Sequence, residues 1–199
     1  MRTLQASNIV LPPPTRAGNV SLEECLSRRR SVRQFSKRMV TEEQISQLLW
    51  AAQGLTSPEG LRSAPSAGAL YGLEIYVATA AGVYRYVPEV HQLEAHSTQD
   101  LRTSLYRAAW EQEPVLAASV VFVIAGSYRR LAAKYGEARS PRYVHLEAGH
   151  AAQNLLLQAV ALGLGCVPVG AFDDLKVQEA ISLPADQLPL YLIPVGAMN

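Results

Sequence analysis

Cysteine and net charge are both scarce in this chain of 199 residues. Its two cysteines, Cys25 and Cys166, lie far apart and form no CxxC pair. Isolated cysteines of this kind are typical of reduced thiols in a cytoplasmic protein. A structural zinc site would need about four ligands at close spacing, so no metal is expected. The 18 Lys and Arg residues nearly balance the 17 Asp and Glu residues, which argues against a nucleic-acid partner.

Long apolar runs are missing as well. The two longest, residues 115–126 and 159–172, are shorter than the roughly 18 residues that a membrane helix needs. Residues 1–11 lack the unbroken apolar stretch of a signal peptide. We therefore expect a cytoplasmic protein without a membrane span. Hydrophobic residues still make up 49% of the chain, which is enough for one domain with a buried core.

Three consecutive prolines at 12–14 predict an extended arm over residues 1–20. Residues 21–199 are expected to form a single domain. Within this domain, residues 55–70 are rich in Gly, Pro and Ser and predict a long loop. A loop of this length inside a compact domain is usually functional or disordered.

Capping signals and hydrophobic periodicity predict the order of the elements. Ser21 is expected to cap a short first helix. Thr41 and Gln44 form the capping box of a second helix, which ends at Gly54. The later elements are a strand over 73–79, a strand over 83–87, a helix capped by Thr98 or Asp100 and ending near Trp110, a strand over 119–125, a helix over 128–135, a helix over 142–162, a strand over 166–169, a helix from Asp173 to about Ile181 and a strand over 190–195. This order predicts an α+β domain with a mixed central sheet flanked by helices, and with a long buried central helix.

Six basic residues crowd into one short stretch that begins with RRRSVR at 28–33. Guanidinium groups bind phosphate through paired hydrogen bonds, and Ser31 adds a further donor. In an extended stretch, Arg29 and Arg33 could converge on one phosphate. The same residues also suit a solvated basic end of a helix, stabilised by the helix dipole. The sequence alone leaves both interpretations open.

Two further segments carry small residues where a flat ligand could approach the backbone. Residues 64–71, APSAGALY, form a loop before a strand, and small residues let backbone amides come close to a ligand. Residues 168–174, PVGAFDD, run from a strand into a helix, whose first amides are good donors to an electron-rich ligand edge. Taken singly, the first is better interpreted as an ordinary loop, and the second equally suits a plain strand-to-helix turn.

Polar residues interrupt the long helix at HLEAGH and again at Gln153 and Asn154. His145 and His150 lie about 140° apart around a helix, so they are not expected to share a metal. Glu147 and His150 share a face and suggest a polar pair or helix-end contacts. Gln153 and Asn154 are expected to hydrogen-bond either a ligand or the backbone, since buried amides need partners.

Together, four segments resemble the FMN-dependent nitroreductase family. They are RRRSVRQF at 28–35, SAPSAGALYGLEIYV at 63–77, YVHLEAGHAAQNLLLQAVALGLG at 143–165 and CVPVGAFDDLKVQEAISLPADQLPLYLIPVG at 166–196. They occur in the family's order, and the closer resemblance is to its SagB/ThcOx branch, the flavin dehydrogenases of azoline-to-azole peptide maturation. The resemblance implies an α+β fold that dimerises through its long central helices and holds FMN in the subunit interface.

The resemblance also assigns three groups of residues to the cofactor. The first group would hold the FMN phosphate and ribityl chain and consists of Arg29, Arg30, Ser31 and Arg33. The second would lie against the flavin from the other subunit and consists of Pro65, Ser66, Ala67 and Gly68. The third would direct backbone amides at N5 and O4 of the ring and consists of Gly170 and Ala171. Tyr71, Tyr143 and His145 are candidates for lining the substrate side, and no general acid or base is assigned.

The implied activity is hydride transfer through flavin N5 in a ping-pong reaction, with NADH or NADPH as an electron donor and a small molecule or peptide as substrate. Two alternatives stay open: NAD(P)H-dependent reduction of nitroaromatics or quinones, and a flavin-binding dimer without turnover. The chain departs from the branch at Gly72, where proline is usual, and this is expected to loosen the start of the next strand. It also has no basic residue after Gly196, which would either shift phosphate binding onto residues 28–33 or weaken FMN binding.

Overall fold

Residues 7–198 are described by a computed structural model of the chain, in which helices cover both faces of one sheet. Residues 1–6 of the predicted arm, and Asn199 at the end of the predicted domain, lie outside this range. The strands are β1 (Ile9–Val10), β2 (Leu73–Thr79), β3 (Gly82–Val87), β4 (Gln92–Ser97), β5 (Val120–Ser127), β6 (Leu164–Cys166) and β7 (Gln187–Ala197). The helices are α1 (Leu22–Arg28), α2 (Glu42–Gln53), α3 (Arg102–Ala108), α4 (Glu113–Ala117), α5 (Tyr128–Tyr135), α6 (Ser140–Ala161) and α7 (Asp174–Ala180), and a 3-10 turn spans Ala67–Ala69.

The strands form one sheet in the order β1-β4-β3-β2-β5-β7-β6. Each strand pairs antiparallel with its neighbours, and a single parallel bridge from Ser31 to Cys166 makes the sheet mixed beside β6. The three longest strands, β2, β5 and β7, lie side by side at the centre. The predicted α+β fold, with helices around a mixed sheet, is therefore confirmed.

The central strand β5 is buried along its whole length, as its uninterrupted apolar sequence predicts. Phe122 and Ile124 belong to the core on one face of the sheet, where α2 and α6 pack. Val121 and Val123 belong to the core on the other face, which α3, α4 and α7 cover. Fully burying a side chain of this size contributes roughly 1.5–3 kcal/mol, so both cores stabilise the sheet.

Side-chain caps fix the start of three helices, as the sequence predicts. The side chains of Ser21 and Asp173 each accept a hydrogen bond from the backbone N–H three residues later, at the start of α1 and α7. At the start of α2, Thr41 and Gln44 form the reciprocal capping box, and the helix ends before Gly54. These short-range signals are satisfied within one helical turn, which is why the local sequence predicts them.

The prediction for α3 is wrong at both ends. Neither Thr98 nor Asp100 caps it, because the Asp100 carboxylate instead accepts from the Arg102 backbone and guanidinium, at 2.6 to 3.1 Å. The helix ends at Ala108 and not near Trp110. A short separate helix, α4, follows where the sequence predicts none.

Strand boundaries differ from the prediction at one edge of the sheet. β6 ends at Cys166 and does not reach Val169. Pro168 has no N–H to continue a ladder, and Val169 forms only an isolated bridge with Leu192. β7 is longer than the predicted 190–195, whereas β1 and β4 lie outside the predictions.

The long helix α6 presents one face to the sheet and leaves the opposite face open. Leu146, His150 and Gln153 are exposed along that outer face. Of the two amides expected to need partners, Asn154 donates to Ser63 O at 3.3 Å. Gln153 is exposed and makes no side-chain hydrogen bond among residues 7–198, so a bond to a ligand stays a prediction for this residue. The central helix is buried on its inner side only.

Thr41→Ala should lower the free energy of unfolding by about 1 kcal/mol, because the backbone N–H of Gln44 loses the Thr41 hydroxyl as its acceptor. Thr98→Ala is the matched control: Thr98 is exposed and caps no helix, so its effect should stay within about 0.5 kcal/mol. Urea unfolding followed by circular dichroism measures both variants. Equal effects would contradict the assigned cap.

Candidate functional site

The arginine segment, residues 28–33, lies along the sheet edge formed by β6 and the end of β7. Val32 N donates to Cys166 O at 2.9 Å. Two glycines permit this close approach: a Cβ added to Gly165 would lie 2.6 Å from the Val32 side chain. A Cβ added to Gly196 would lie 2.6 Å from Phe35 Cγ, just beyond the segment. Side chains at either position would push the segment away from the sheet.

Two of the arginines stabilise the end of α1. Arg28 forms an ion pair with Glu24 at 2.6 Å, one helical turn earlier. The Arg30 guanidinium donates to Ser27 O at 3.0 Å and to Arg29 O at 2.7 Å. For these two residues the structure matches the interpretation of a basic helix end, and Arg30 would have to exchange bonds to reach a ligand.

The remaining polar side chains of the segment, Arg29, Ser31 and Arg33, make no hydrogen bond or ion pair within residues 7–198. Ser31 and Arg33 are exposed, and Arg29 is half-buried. The neighbouring Cys166 is buried, which raises the pKa of its thiol to about 12, and the positive charge of Arg29 opposes part of this rise. Two guanidinium groups and a hydroxyl are thus available to an anion at this edge.

A turn at Gly170 and Ala171 continues the same edge. Val169 and Leu192 exchange backbone hydrogen bonds of 2.8 and 3.0 Å before the turn. Gln112 Nε2 then donates to Ala171 O at 2.7 Å and holds the turn from the side of α4. Gly170 and Ala171 are exposed, and no hydrogen bond among the described residues engages their amides. The turn therefore offers two open backbone donors.

The loop over residues 63–72 lies against α6 in a conformation that most residues avoid. Gly68, Ala69 and Tyr71 have φ values of 62°, 53° and 50°. Such a conformation costs a non-glycine residue on the order of 1–3 kcal/mol and persists only where the surroundings hold it. Gly68 is exposed, but the ends of two side chains lie close to it, since a Cβ there would be 2.7 Å from Lys134 Nζ and 2.8 Å from Tyr135 Oη.

A buried carboxylate on α6 holds this loop. Glu147, which is 1% exposed, accepts from Ser66 Oγ at 2.6 Å and from Gly72 N at 3.2 Å through Oε2. Its Oε1 accepts from Gln53 Nε2 at 3.3 Å. Burial raises the pKa of Glu147, while these hydrogen bonds and the charge of Arg62 oppose the rise. Gly72 is fixed by this contact, so the start of β2 is not loosened as expected.

Arg62 fixes the side chain of Tyr71, the loop residue that is a candidate for lining the substrate side. Arg62 N donates to Tyr71 Oη at 3.1 Å, and the guanidinium carbon lies 4.5 Å from the centroid of the Tyr71 ring. The guanidinium also donates to Gln53 Oε1 at 3.2 Å and to Glu89 Oε1 at 2.6 Å. These contacts hold the side chain of Tyr71 in place within the loop.

The two other candidates for the substrate side lie where α5 meets α6. The rings of Tyr143 and Tyr135 have centroids 4.6 Å apart. His145 is exposed, and its Nε2 lies 2.8 Å from Tyr128 Oη. Because Tyr135 also approaches Gly68, Tyr143 and the loop share one side of the molecule.

The structure does not bring all the predicted site residues together in one chain. The arginine segment and the Gly170–Ala171 turn share the β6–β7 edge. No hydrogen bond within residues 7–198 joins either of them to the loop over 63–72. Of the loop residues assigned to the cofactor, Pro65 and Gly68 are exposed, whereas Ser66 and Ala67 are half-buried.

Sequence reasoning missed the residues that hold these segments. The suggested pairing of Glu147 with His150 is wrong, because Glu147 turns inward to the loop and His150 is exposed. A single acid in an alanine-rich, apolar stretch of helix is the one signal that could have identified Glu147. Gln53 and Gln112 carry no comparable signal.

The part of the chain that the structure describes carries neither a metal cluster nor a membrane-spanning helix. No three His, Cys, Asp or Glu side chains in residues 7–198 gather as a metal site. None of the helices in that range combines the length and the hydropathy that crossing a membrane requires. The polar groups of interest are those of the β6–β7 edge and of the anchored loop.

The fold and the site define an α+β protein with one mixed sheet between helices and an arginine-rich segment along one sheet edge. The sequence model described as "Nitroreductase family" matches residues 26–197. The "Putative nitroreductase MJ1384" of Methanocaldococcus jannaschii is 42% identical over 183 residues, which cover 89% of this chain and 91% of that relative. The chain therefore belongs to the nitroreductase family.

Solved structures agree with this assignment. A nitroreductase-type structure from Ralstonia eutropha JMP134 superposes with a TM-score of 0.87 at 29% identity, over 96% of this chain and 90% of that one. A chain of the E. coli microcin synthetase McbBCD complex with truncated pro-MccB17 bound gives a TM-score of 0.77 at 26% identity, over 93% of this chain and 75% of that one. The family indicates an oxidoreductase, and its members generally use FMN and NAD(P)H and are typically homodimers.

The raised pKa of Glu147 predicts a pH-dependent contribution to stability. The folded chain binds the proton of this carboxyl more tightly than the unfolded chain, in which the Glu pKa is about 4.3. The contribution is therefore full below that value and is lost as pH rises through the folded pKa. Relative to Glu147→Gln, the wild-type free energy of unfolding should increase as pH falls from 8 toward 4.5. Parallel curves in urea unfolding over this range would contradict the prediction.

Proposed function

We propose that this chain is an FMN-dependent oxidoreductase of the SagB/ThcOx type, which transfers hydride through flavin N5 in the two half-reactions of a ping-pong cycle. The observation that most supports the proposal is the β6–β7 edge. The unengaged side chains of Arg29, Ser31 and Arg33 lie beside β6. The open amides of Gly170 and Ala171 follow along the same edge.

The donors at this edge fit FMN in charge and in kind. A phosphate dianion binds best to guanidinium groups and hydroxyls that have no other partner, and among residues 7–198 Arg29, Arg33 and Ser31 meet this condition. An uncharged, electron-rich ring edge suits backbone amides, which Gly170 and Ala171 offer. Arg30 is the exception among the assigned residues, because its guanidinium already binds the α1 carbonyls.

The chain's own part in the reaction is to orient and to stabilise. When bound, FMN supplies the redox chemistry, because its N5 accepts and returns hydride. The amides of Gly170 and Ala171 would stabilise negative charge developing on the ring, which is an electrostatic role without proton transfer. Gln112 keeps this turn in one conformation by binding the Ala171 carbonyl.

A second copy of the chain is proposed to complete each site. Within one chain the loop over 63–72 is not hydrogen-bonded to the arginine segment among the described residues. The outer face of α6, which includes Leu146 and His150, is exposed. Packing two such faces together would bring residues 65–68 of one chain against the flavin held by the other.

The substrate side of the proposed site would be lined by Tyr71, Tyr143 and His145. NADH or NADPH would be the electron donor, and a small molecule or a peptide would be the substrate. The similarity to a chain of the microcin synthetase complex, whose structure contains truncated pro-MccB17, supports the peptide-related branch. The cytoplasm is the proposed location, since both cysteines are free thiols.

Two other functions remain as alternatives. The identity of 42% with MJ1384 supports a general NAD(P)H-dependent reductase of nitroaromatics or quinones. A flavin-binding dimer without turnover is the second alternative. These alternatives differ from the leading proposal in whether reduction by a nicotinamide occurs and in which acceptor discharges the flavin.

Purification tests the proposal directly. The protein should be yellow, dimeric in sedimentation and show the absorption spectrum of FMN. Anaerobic addition of NADH or NADPH should bleach that spectrum, which distinguishes an enzyme from a passive flavin-binding dimer. A colourless dimer that refuses added FMN would disprove the flavin proposal, and nitroaromatic, quinone and azoline-peptide acceptors then separate the two enzymatic alternatives.

Arg33→Ala should weaken FMN binding by about 10- to 150-fold, because a charge-assisted hydrogen bond is worth about 1.5–3 kcal/mol. Arg38→Ala is the matched control, since Arg38 is an exposed arginine of the same basic stretch outside the assigned residues. Fluorescence titration of FMN into the apoprotein measures both. Unchanged affinity in Arg33→Ala would remove the phosphate role from this residue.

A further inference from the structure

We propose that Glu147 is a positioning residue for cofactor binding, whose carboxylate fixes residues 66–72 in the conformation that meets the flavin of the partner chain. The inference rests on the proposed function and adds a residue outside the groups that the resemblance assigns to FMN. Glu147 does not touch the cofactor in this proposal. It acts through the loop that does.

One carboxylate oxygen closes the loop at both ends. Glu147 Oε2 accepts from Ser66 Oγ at 2.6 Å and from Gly72 N at 3.2 Å, so two residues six positions apart meet at one atom. Ser66 Oγ in turn accepts from Tyr71 N at 2.9 Å. A proline at position 72 would have no N–H for this contact, so the bond depends on the residue that stands there.

The second carboxylate oxygen ties the loop to α2. Gln53 Nε2 donates to Glu147 Oε1 at 3.3 Å, and the other end of the Gln53 amide accepts from Arg62 at 3.2 Å. Arg62 lies over the Tyr71 ring, as described above. The loop is thus supported from two helices, and all of these contacts are made on its inner side.

The backbone between the two ends needs this support. Gly68, Ala69 and Tyr71 occupy the left-handed region, which an unsupported loop would leave. Without Glu147, the buried Gly72 N and the half-buried Ser66 Oγ would lose their shared acceptor and would seek other partners. Residues 65–68 would then lose the position from which they are proposed to contact the flavin.

Glu147 also links the loop to the proposed subunit contact. Consecutive helix residues project about 100° apart, so Glu147 points inward from the same turn from which Leu146 points outward. Leu146 is 54% exposed and lies on the face proposed to pack against the partner chain. The same helical turn would therefore determine the position of the loop relative to the proposed partner subunit.

The test compares Glu147→Ala and Glu147→Gln with a control, Ser46→Ala. Ser46 is also buried and donates to Pro12 O at 2.6 Å, but it contacts the arm and not the loop. Two quantities are measured for each variant: hydrogen exchange of residues 66–72 in the apoprotein, and the Kd of FMN from fluorescence titration. Sedimentation checks that each variant keeps the oligomeric state of the wild type.

Glu147→Ala should speed exchange at Tyr71 and Gly72 selectively and raise the Kd of FMN by about 10-fold or more. Glu147→Gln keeps one oxygen that can accept from Ser66 and Gly72, so it should fall between the wild type and Glu147→Ala. If the alanine variant fails to fold, the Glu147→Gln variant is the one that tests the proposal. Ser46→Ala should change neither quantity.

Wild-type affinity for FMN in both Glu147 variants would overturn the inference, and so would faster exchange spread over the whole chain without a local effect in the loop. The second pattern is what a purely structural role predicts. A wild-type protein that does not bind FMN is a different result, because it disproves the proposed function, whereas the exchange data still report whether Glu147 holds the loop.

Discussion

The central strand β5 is apolar on both faces, and neither face can be left in water. Covering one face requires α2 and α6, and covering the other requires α3, α4 and α7. β2 and β7 pair with β5 on its two sides, and the chain that leaves α6 adds at the far side of β7, as β6. The arginine segment then occupies the outer side of β6, because α1 packs against α6 and ends beside it.

The helix α6 connects the two halves of the candidate site. Its inner face belongs to the core, and Glu147 on that face holds the loop that precedes β2. Its end leads directly into β6, which carries the arginine segment. The core, the loop and the sheet edge are therefore positioned by one element, and its outer face is open to a second copy.

Much of this arrangement could be predicted from local signals. The capping box at Thr41 and the apolar run of β5 depend on neighbouring residues, so the sequence predicts them correctly. β4 mixes polar and apolar residues and is stabilised by pairing with β3, which no local pattern reports. The cofactor residues come from resemblance, and their roles stay predictions. The partners of Glu147 could not be predicted, because Ser66 is 81 positions away in the chain.

The buried thiol of Cys166 lies directly beside Ser31, at the edge where the phosphate of the flavin is proposed to bind. With its pKa raised to about 12, this thiol stays protonated in neutral solution. Only the thiolate is a good nucleophile, so burial lowers the reactivity of this sulfur toward alkylating reagents and oxidants. A cysteine can therefore adjoin the proposed phosphate site with little thiolate present, and packing is what gives it this protection.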